Sequence, residues 1–196
     1  MTTLEGRPNT ALLVIDAQNA ILATTAGRDS VVANIGGLIG KARAEGAPVI
    51  WIQHSDDGLP PRSEGWQLVP ELPRQDGDPL VHKTYGDSFE ATDLAEILAG
   101  REAGRLVVAG AQSDACIRAT IHGAFVRGYD VTLVSDAHTT VGRTEYGGPP
   151  AGQIIALTNL YWTYTFAPGR TAEVVPAAEV SFAPPAAGAD AATGVS

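Results

Sequence analysis

Residues 106–118, Leu-Val-Val-Ala-Gly-Ala-Gln-Ser-Asp-Ala-Cys-Ile-Arg, constrain the fold more than any other stretch. The segment opens on four apolar residues, 106–109, the length and type of a strand buried on both faces. A tight turn is expected at Gly110. Ser113 or Asp114 can then cap a helix, whose apolar positions Ile117, Ile121, Ala124 and Phe125 recur at helical spacing. Cys116 therefore falls in the first turn of that helix, just past the carboxyl end of a strand, where ligands bind in open α/β sheets. Unpaired N–H groups and the helix dipole there favour an anion, so the thiol is expected to ionise more readily than a free one. Cys116 is the only cysteine of the chain. A lone cysteine also serves as a small buried hydrophobe, and position alone leaves both readings open.

Strand and helix patterns alternate along the rest of the chain. Residues 10–15 are an apolar strand ending in Asp16, and residues 48–53 are a second, ended by His54. Between them Ser30 can cap a helix with Val31, Ile35, Leu38, Ile39 and Ala42 on one face. Residues 55–79 are rich in Pro, Gly and Asp, with Trp66 and Leu68 as anchors; a loop this long inside a compact domain is usually functional. Residues 80–83 read as a short third strand. A helix capped by Thr92 and ended at Gly100 follows. Strand 106–109, helix 114–127, strand 131–134, a turn-rich loop at 142–148, a helix started by Pro149 and Pro150, and a last strand at 171–175 complete the series. The alternation predicts an α/β protein, a parallel sheet with helices on both faces and right-handed crossovers. Residues 1–182 are expected to form one domain, and the Ala/Gly/Pro-rich residues 183–196 a disordered tail.

Composition removes several function classes. The net charge is −9 with no basic cluster, so neither nucleic acid nor an anionic membrane is an expected partner. No apolar run approaches the ~20 residues of a membrane span, and residues 1–9 lack the basic-then-apolar pattern of a signal peptide. One cysteine cannot form an internal disulfide, which fits a reducing cytoplasm. Neither glycine-rich nucleotide-binding motif is present.

In a parallel sheet the carboxyl ends of the strands form one rim. Asp16, Lys83 and Cys116 all fall there, after the first, third and fourth strands. Each has an ordinary explanation: a turn cap, a solvated surface lysine, a core thiol. Together they form a coherent set. A thiol needs a proton acceptor, which a carboxylate supplies, and a cation to favour its charged form, which a lysine supplies.

Four motifs carry a resemblance to a known family. They are Asp16-Ala-Gln18; Lys83-Thr-Tyr85-Gly-Asp-Ser-Phe89-Glu-Ala-Thr92-Asp-Leu94; Gly110-Ala-Gln112-Ser-Asp114-Ala-Cys116; and Gly128-Tyr129 with Ser135-Asp136-Ala137. In this order and spacing the chain resembles the isochorismatase-like cysteine hydrolases. The resemblance implies a Rossmann-like, three-layer α/β/α fold with a six-stranded parallel sheet in the order 3-2-1-4-5-6. It implies an Asp–Lys–Cys triad at Asp16, Lys83 and Cys116. It also implies a cis peptide at Ala111–Gln112, with the N–H groups of Gln112 and Cys116 forming an oxyanion hole. The activity implied is hydrolysis of a small amide or lactam through a thioester.

Nicotinamidases of this family bind a metal through an Asp-x-His pair after the second strand. Here the residue types are exchanged, His54-Ser55-Asp56, so no metal or other cofactor is expected and His54 is read as a substrate-binding residue. The same stretch resembles a metal-free branch that includes streptothricin hydrolase. Trp66, Tyr85, Phe89 and Tyr146 are candidate pocket walls, each equally suited to packing. The apolar helix after Pro150 and the habit of the resembled family imply a homo-oligomer. The competing readings are an isochorismatase-type vinyl ether hydrolase, in which the cysteine is dispensable, and a non-catalytic binding protein or thiol sensor on the same fold.

Overall fold

The structure is a computed structural model, and it describes residues 2–72 and 74–183. Six strands form one parallel sheet in the order β3-β2-β1-β4-β5-β6. They are β1 Asn9–Ile15, β2 Val49–His54, β3 Leu80–Lys83, β4 Ala103–Ala111, β5 Asp130–Thr139 and β6 Ala172–Val175. The helices are α1 Asn19–Leu22, α2 Arg28–Ala44, α3 Leu94–Gly100, α4 Arg118–Val126 and α5 Ala151–Thr163. No helix among the described residues is long and apolar enough to cross a membrane.

β1 is central, and residues 11–15 are wholly buried. Its side chains alternate between two cores, as the period of a strand requires. Leu12 and Val14 meet α2, the long loop and Val180 and Phe182; Ala11, Leu13 and Ile15 meet the side of α3, α4 and α5. Two cores on either side of one sheet make the three-layer architecture that strand–helix alternation predicts.

The structure redraws several boundaries. α2 starts at Arg28 rather than at a Ser30 cap, because Gly27 in a left-handed conformation turns the chain in; the Ser30 hydroxyl donates to the Gly27 carbonyl instead. Asp93 holds the position before α3 but makes no side-chain capping bond, and the Thr92 hydroxyl accepts from Leu94 N–H at 3.3 Å. Neither Ser113 nor Asp114 caps the helix after β4. Gln112 holds that position, and the chain first makes one π-helical turn, Ser113–Ile117. β5 runs five residues beyond the expected end at Val134. Of the tail expected at 183–196, only Ala183 lies within the described residues.

Candidate active site

Gly110 decides where the end of β4 can lie. Its φ is +125°, and a Cβ there would collide with the Ile15 carbonyl of β1, so only glycine allows the approach. The Ile15–Gly110 pairing sets the turn that carries Cys116 directly beside Asp16. Asp16, at φ +50°, is in the left-handed region that aspartate tolerates better than most residues. On the other side of β1, His54 pairs with Lys83 at the ends of β2 and β3. The lysine stem crosses the end of β2 to reach the same point.

Lys83 Nζ donates to Asp16 Oδ2 at 2.8 Å and to Cys116 Sγ at 3.1 Å. It also approaches the Tyr85 carbonyl at 3.3 Å and His54 Nδ1 at 3.5 Å. The Lys83 side chain is 0% exposed and that of Asp16 1%. Asp16 Oδ1 is equally buried and has no hydrogen-bond partner among the described residues. Cys116 sits in the π-turn and keeps partial exposure. The Gln112 carbonyl accepts from the N–H groups of Ala115 and Ile117, at 3.0 and 3.2 Å, so neither bond uses the Cys116 N–H. The Ala111–Gln112 peptide is cis.

Burial governs the charges here. Desolvation raises the Asp16 carboxyl above the ordinary carboxylate range despite Lys83. Burial alone would lower Lys83, but the Asp16 charge and the hydrogen bonds to Asp16 and Cys116 outweigh it and hold the ammonium above its usual value. The thiol of Cys116 is pushed up to about 12 by burial and by Asp16, against the pull of Lys83. The expectation of a readily ionised thiol is therefore corrected. Burial and the adjacent carboxylate outweigh the helix terminus and the lysine.

A cavity of about 190 Å³ opens against the sulfur, lined by Asp16, Ile21, His54, Gln112, Ala115 and Cys116. A larger one of about 770 Å³ lies at the opposite rim, against Asn9, Pro48 and Phe182, and shares none of these residues. His54 is thus at the cavity, and its Nε2 is 3.2 Å from Asp56 Oδ2. The four aromatic candidates do not line it. Trp66 stacks on His82, with centroids 5.5 Å apart. Phe89 is a core residue, packed on Tyr129 beneath Arg127. Tyr85 and Tyr146 point to solvent, 56% and 85% exposed. Aromatic bulk suits a core or a surface as well as a pocket.

Residue type also gave no signal for Ile21 and Ala115, which supply the apolar wall. Gln18 was legible only as part of a motif. Its wholly buried amide accepts from His54 N–H at 2.8 Å and donates to the His54 and Trp66 carbonyls at 2.9 Å, tying β1, β2 and the long loop together. Arg143 was missed as well. It donates to Asp114 Oδ2 at 2.9 Å and to Gln112 Oε1 at 2.8 Å, latching the loop before α5 onto the turn that carries Cys116.

Among the described residues no group of three or more His, Cys, Asp or Glu could hold a metal ion. The His54–Asp56 pair does not fit one, since one ring nitrogen faces Asp56 and the other the Lys83 ammonium.

The model of the isochorismatase domain matches residues 10–147. A streptothricin hydrolase from Streptomyces noursei is 38% identical over 68% of this chain and 56% of its own length. A second streptothricin hydrolase from the same organism is 34% identical over 90% of this chain and 66% of its own. The chain thus spans somewhat over half to just under two thirds of these relatives. Among solved structures, an isochorismatase from Pseudomonas putida KT2440 superposes with a TM-score of 0.79 at 30% identity, over 87% of this chain and 89% of that one. With the sheet order, the family model and relatives of this similarity in agreement, the chain belongs to the isochorismatase-like hydrolase family.

Proposed function

We propose that the protein is a cysteine hydrolase that cleaves the C–N bond of a small amide or lactam through a thioester on Cys116. The observation that carries this reading is the buried contact of one ammonium, Lys83, with both the Asp16 carboxylate and the Cys116 sulfur.

The site suits a stepwise proton transfer. Substrate entering the cavity displaces water. The thiol proton passes to Asp16, whose raised pKa makes it a willing acceptor, and Lys83 offsets the charge left on sulfur. Sulfur attacks the carbonyl carbon, and the carbonyl electrons move to oxygen, which the N–H groups of Gln112 and Cys116 stabilise. Collapse breaks the C–N bond, and the nitrogen leaves with the proton from Asp16. A water then gives its proton to Asp16 and attacks the thioester. The C–S bond breaks, and the acid departs as the thiol recovers its proton. His54 borders the cavity with its ring nitrogens turned to Asp56 and Lys83, so it bounds the space open to the substrate. A volume of about 190 Å³ accommodates the reacting end of a molecule and little more. The similarity to streptothricin hydrolases makes streptothricin one compound worth assaying.

A second reading has its own support. A thiol held at about 12 is a poor nucleophile at rest, so Asp16 and Lys83 could protonate and hydrolyse a vinyl ether without it. Incubation with a panel of primary amides, lactams and ureas, followed by mass spectrometry of the intact protein, separates the two. An acyl adduct confined to Cys116, with turnover abolished in Cys116→Ala, is the expected result. Turnover of an enol ether by Cys116→Ala, with no adduct in the parent, selects the second reading.

A further inference from the structure

A buried polar chain lies behind the nucleophile turn and takes no part in the chemistry above. The Ser113 hydroxyl and His138 Nδ1 are 2.7 Å apart, and His138 Nε2 is 2.9 Å from Asn159 Oδ1. Asn159 Nδ2 donates to the Ser135 carbonyl at 3.0 Å. Ser113 is 0% and His138 1% exposed.

The donors and acceptors fix one another. The Ser135 carbonyl can only accept, so the Asn159 amide nitrogen faces it and the amide oxygen faces His138. Nε2 of His138 then carries the ring proton, and Nδ1 is a bare lone pair that takes the Ser113 O–H. Burial holds the imidazole below its usual pKa and so keeps it neutral.

β5 brings His138 here by a detour. It pairs with β4 through Val108–Leu133, bulges, and rejoins at Gly110–His138 and Ala111–Thr139. The two residues that rejoin thus lie beside the last two residues of β4, directly ahead of Gln112. Ser113 is the first residue of the π-turn that ends in Cys116 and Ile117.

We propose that His138 is a positioning residue for the oxyanion-binding N–H groups, acting through Ser113 to fix the rotation of the turn that bears Gln112 and Cys116. The inference rests on the thioester reading. It assigns His138 no contact with substrate. The triad meets the sulfur from Asp16 and Lys83, on the opposite side of the turn's origin, so a loosened turn misdirects the N–H groups while leaving the thiol its base and its cation. Acyl transfer builds negative charge on oxygen and depends on those N–H groups. Alkylation by iodoacetamide displaces iodide from carbon, develops no oxyanion, and does not.

The test compares the two reactions on the purified protein. Release of p-nitrophenolate from p-nitrophenyl acetate reads acylation of Cys116, with Cys116→Ala as the blank; iodoacetamide labelling reads the thiol. His138→Leu and His138→Asn have nearly the same shape, but only Asn keeps an acceptor at the place of Nδ1. His138→Leu should slow acylation at least ~10-fold, with alkylation unchanged. His138→Asn should acylate close to the parent rate. Ser113→Ala removes a single oxygen and carries the same expectation as His138→Leu, so the comparison stands even if a His138 variant does not fold. Equal slowing by Leu and Asn, or acylation and alkylation falling together, makes His138 a packing residue and overturns the proposal. Parent-like acylation in Ser113→Ala does the same. A parent that releases no p-nitrophenolate above the Cys116→Ala blank overturns the thioester reading itself.

Discussion

Asp16 and Cys116 compete for one proton beside the Lys83 ammonium, and variants of Asp16 and Lys83 should move the thiol in opposite directions. In Asp16→Asn the thiol loses the negative neighbour that helps hold it near 12, while Lys83 remains. Iodoacetamide labelling at pH 8 should then be several-fold faster than in the parent, although hydrolysis should fall by ~10³-fold because no base remains. Slower labelling would mean that Asp16 extracts the thiol proton already at rest. Lys83→Met reverses the first effect: the sulfur loses its cation, labelling slows, and turnover drops by ~10²-fold. Removing the cation also leaves Asp16 as a buried charge without a partner, at a cost of ~3–5 kcal/mol when ionised. Asp16 already has a raised pKa, and the variant raises it further. A folded pKa above the unfolded one means that the fold holds the proton more tightly. The stability this contributes is full below the unfolded value and lost as pH rises through the folded one. The Lys83→Met deficit, read from urea unfolding, should therefore grow from acid to neutral pH; a deficit independent of pH would refute this account.

At the scale of elements, the long loop between β2 and β3 is tied down by Asp78. Its carboxylate accepts from Arg43 of α2 at 2.7 Å, from the Trp51 indole of β2 at 3.1 Å and from Gln75 N–H at 3.1 Å. Partial burial pushes this carboxyl up, but the three hydrogen bonds outweigh it and hold it below the ordinary range. Asp78→Ala should cost ~2 kcal/mol in urea unfolding at pH 7. The deficit should persist above the unfolded carboxyl value and vanish as pH falls through the lowered one. This loop also marks what a sequence can disclose. Its length identified it as important, but nothing in residues 55–79 indicated that Trp66 would serve through its carbonyl, as acceptor for Gln18 and Gln53, rather than as a pocket wall. The meeting of Asp16, Lys83 and Cys116 was legible because a parallel sheet delivers every strand end to one rim, whatever the side chains between. β5 was cut short for a physical reason: Ser135 and Asp136 are turn formers, and here they form a bulge. The Asp136 carbonyl accepts from Asn34 and its carboxylate from Ala177 N–H, after which the strand resumes. The π-turn is equally invisible, since one extra residue in the first turn leaves the helical spacing of Ile117, Ile121 and Ala124 intact.

On the scale of the whole molecule, the outer face of α5 stands apart. The chain carries a net charge of −9, yet the thirteen residues of α5 include no charged side chain. Ile154, Thr158 and Trp162 turn inward and are buried on the sheet. On the opposite face Leu157, Leu160 and Tyr164 follow one another at helical spacing, 58%, 56% and 73% exposed, with Phe166 beyond them at 91%. A solvent-facing helix normally carries charge, and an apolar stripe without it marks an interaction surface. Because nothing charged opposes its own image there, a twofold pairing of α5 with α5 meets no like-charge repulsion at its centre, whereas the acidic remainder of the surface disfavours other self-contacts. We expect a dimer joined through this helix, with a stable interface requiring about 800 Å² from each partner. Light scattering at micromolar concentration should give twice the chain mass. Leu157→Glu with Leu160→Glu should give the monomer with an unchanged circular dichroism spectrum, since both side chains face solvent in the single chain. A parent that scatters as a monomer, or a double variant that remains dimeric, would remove α5 from the interface.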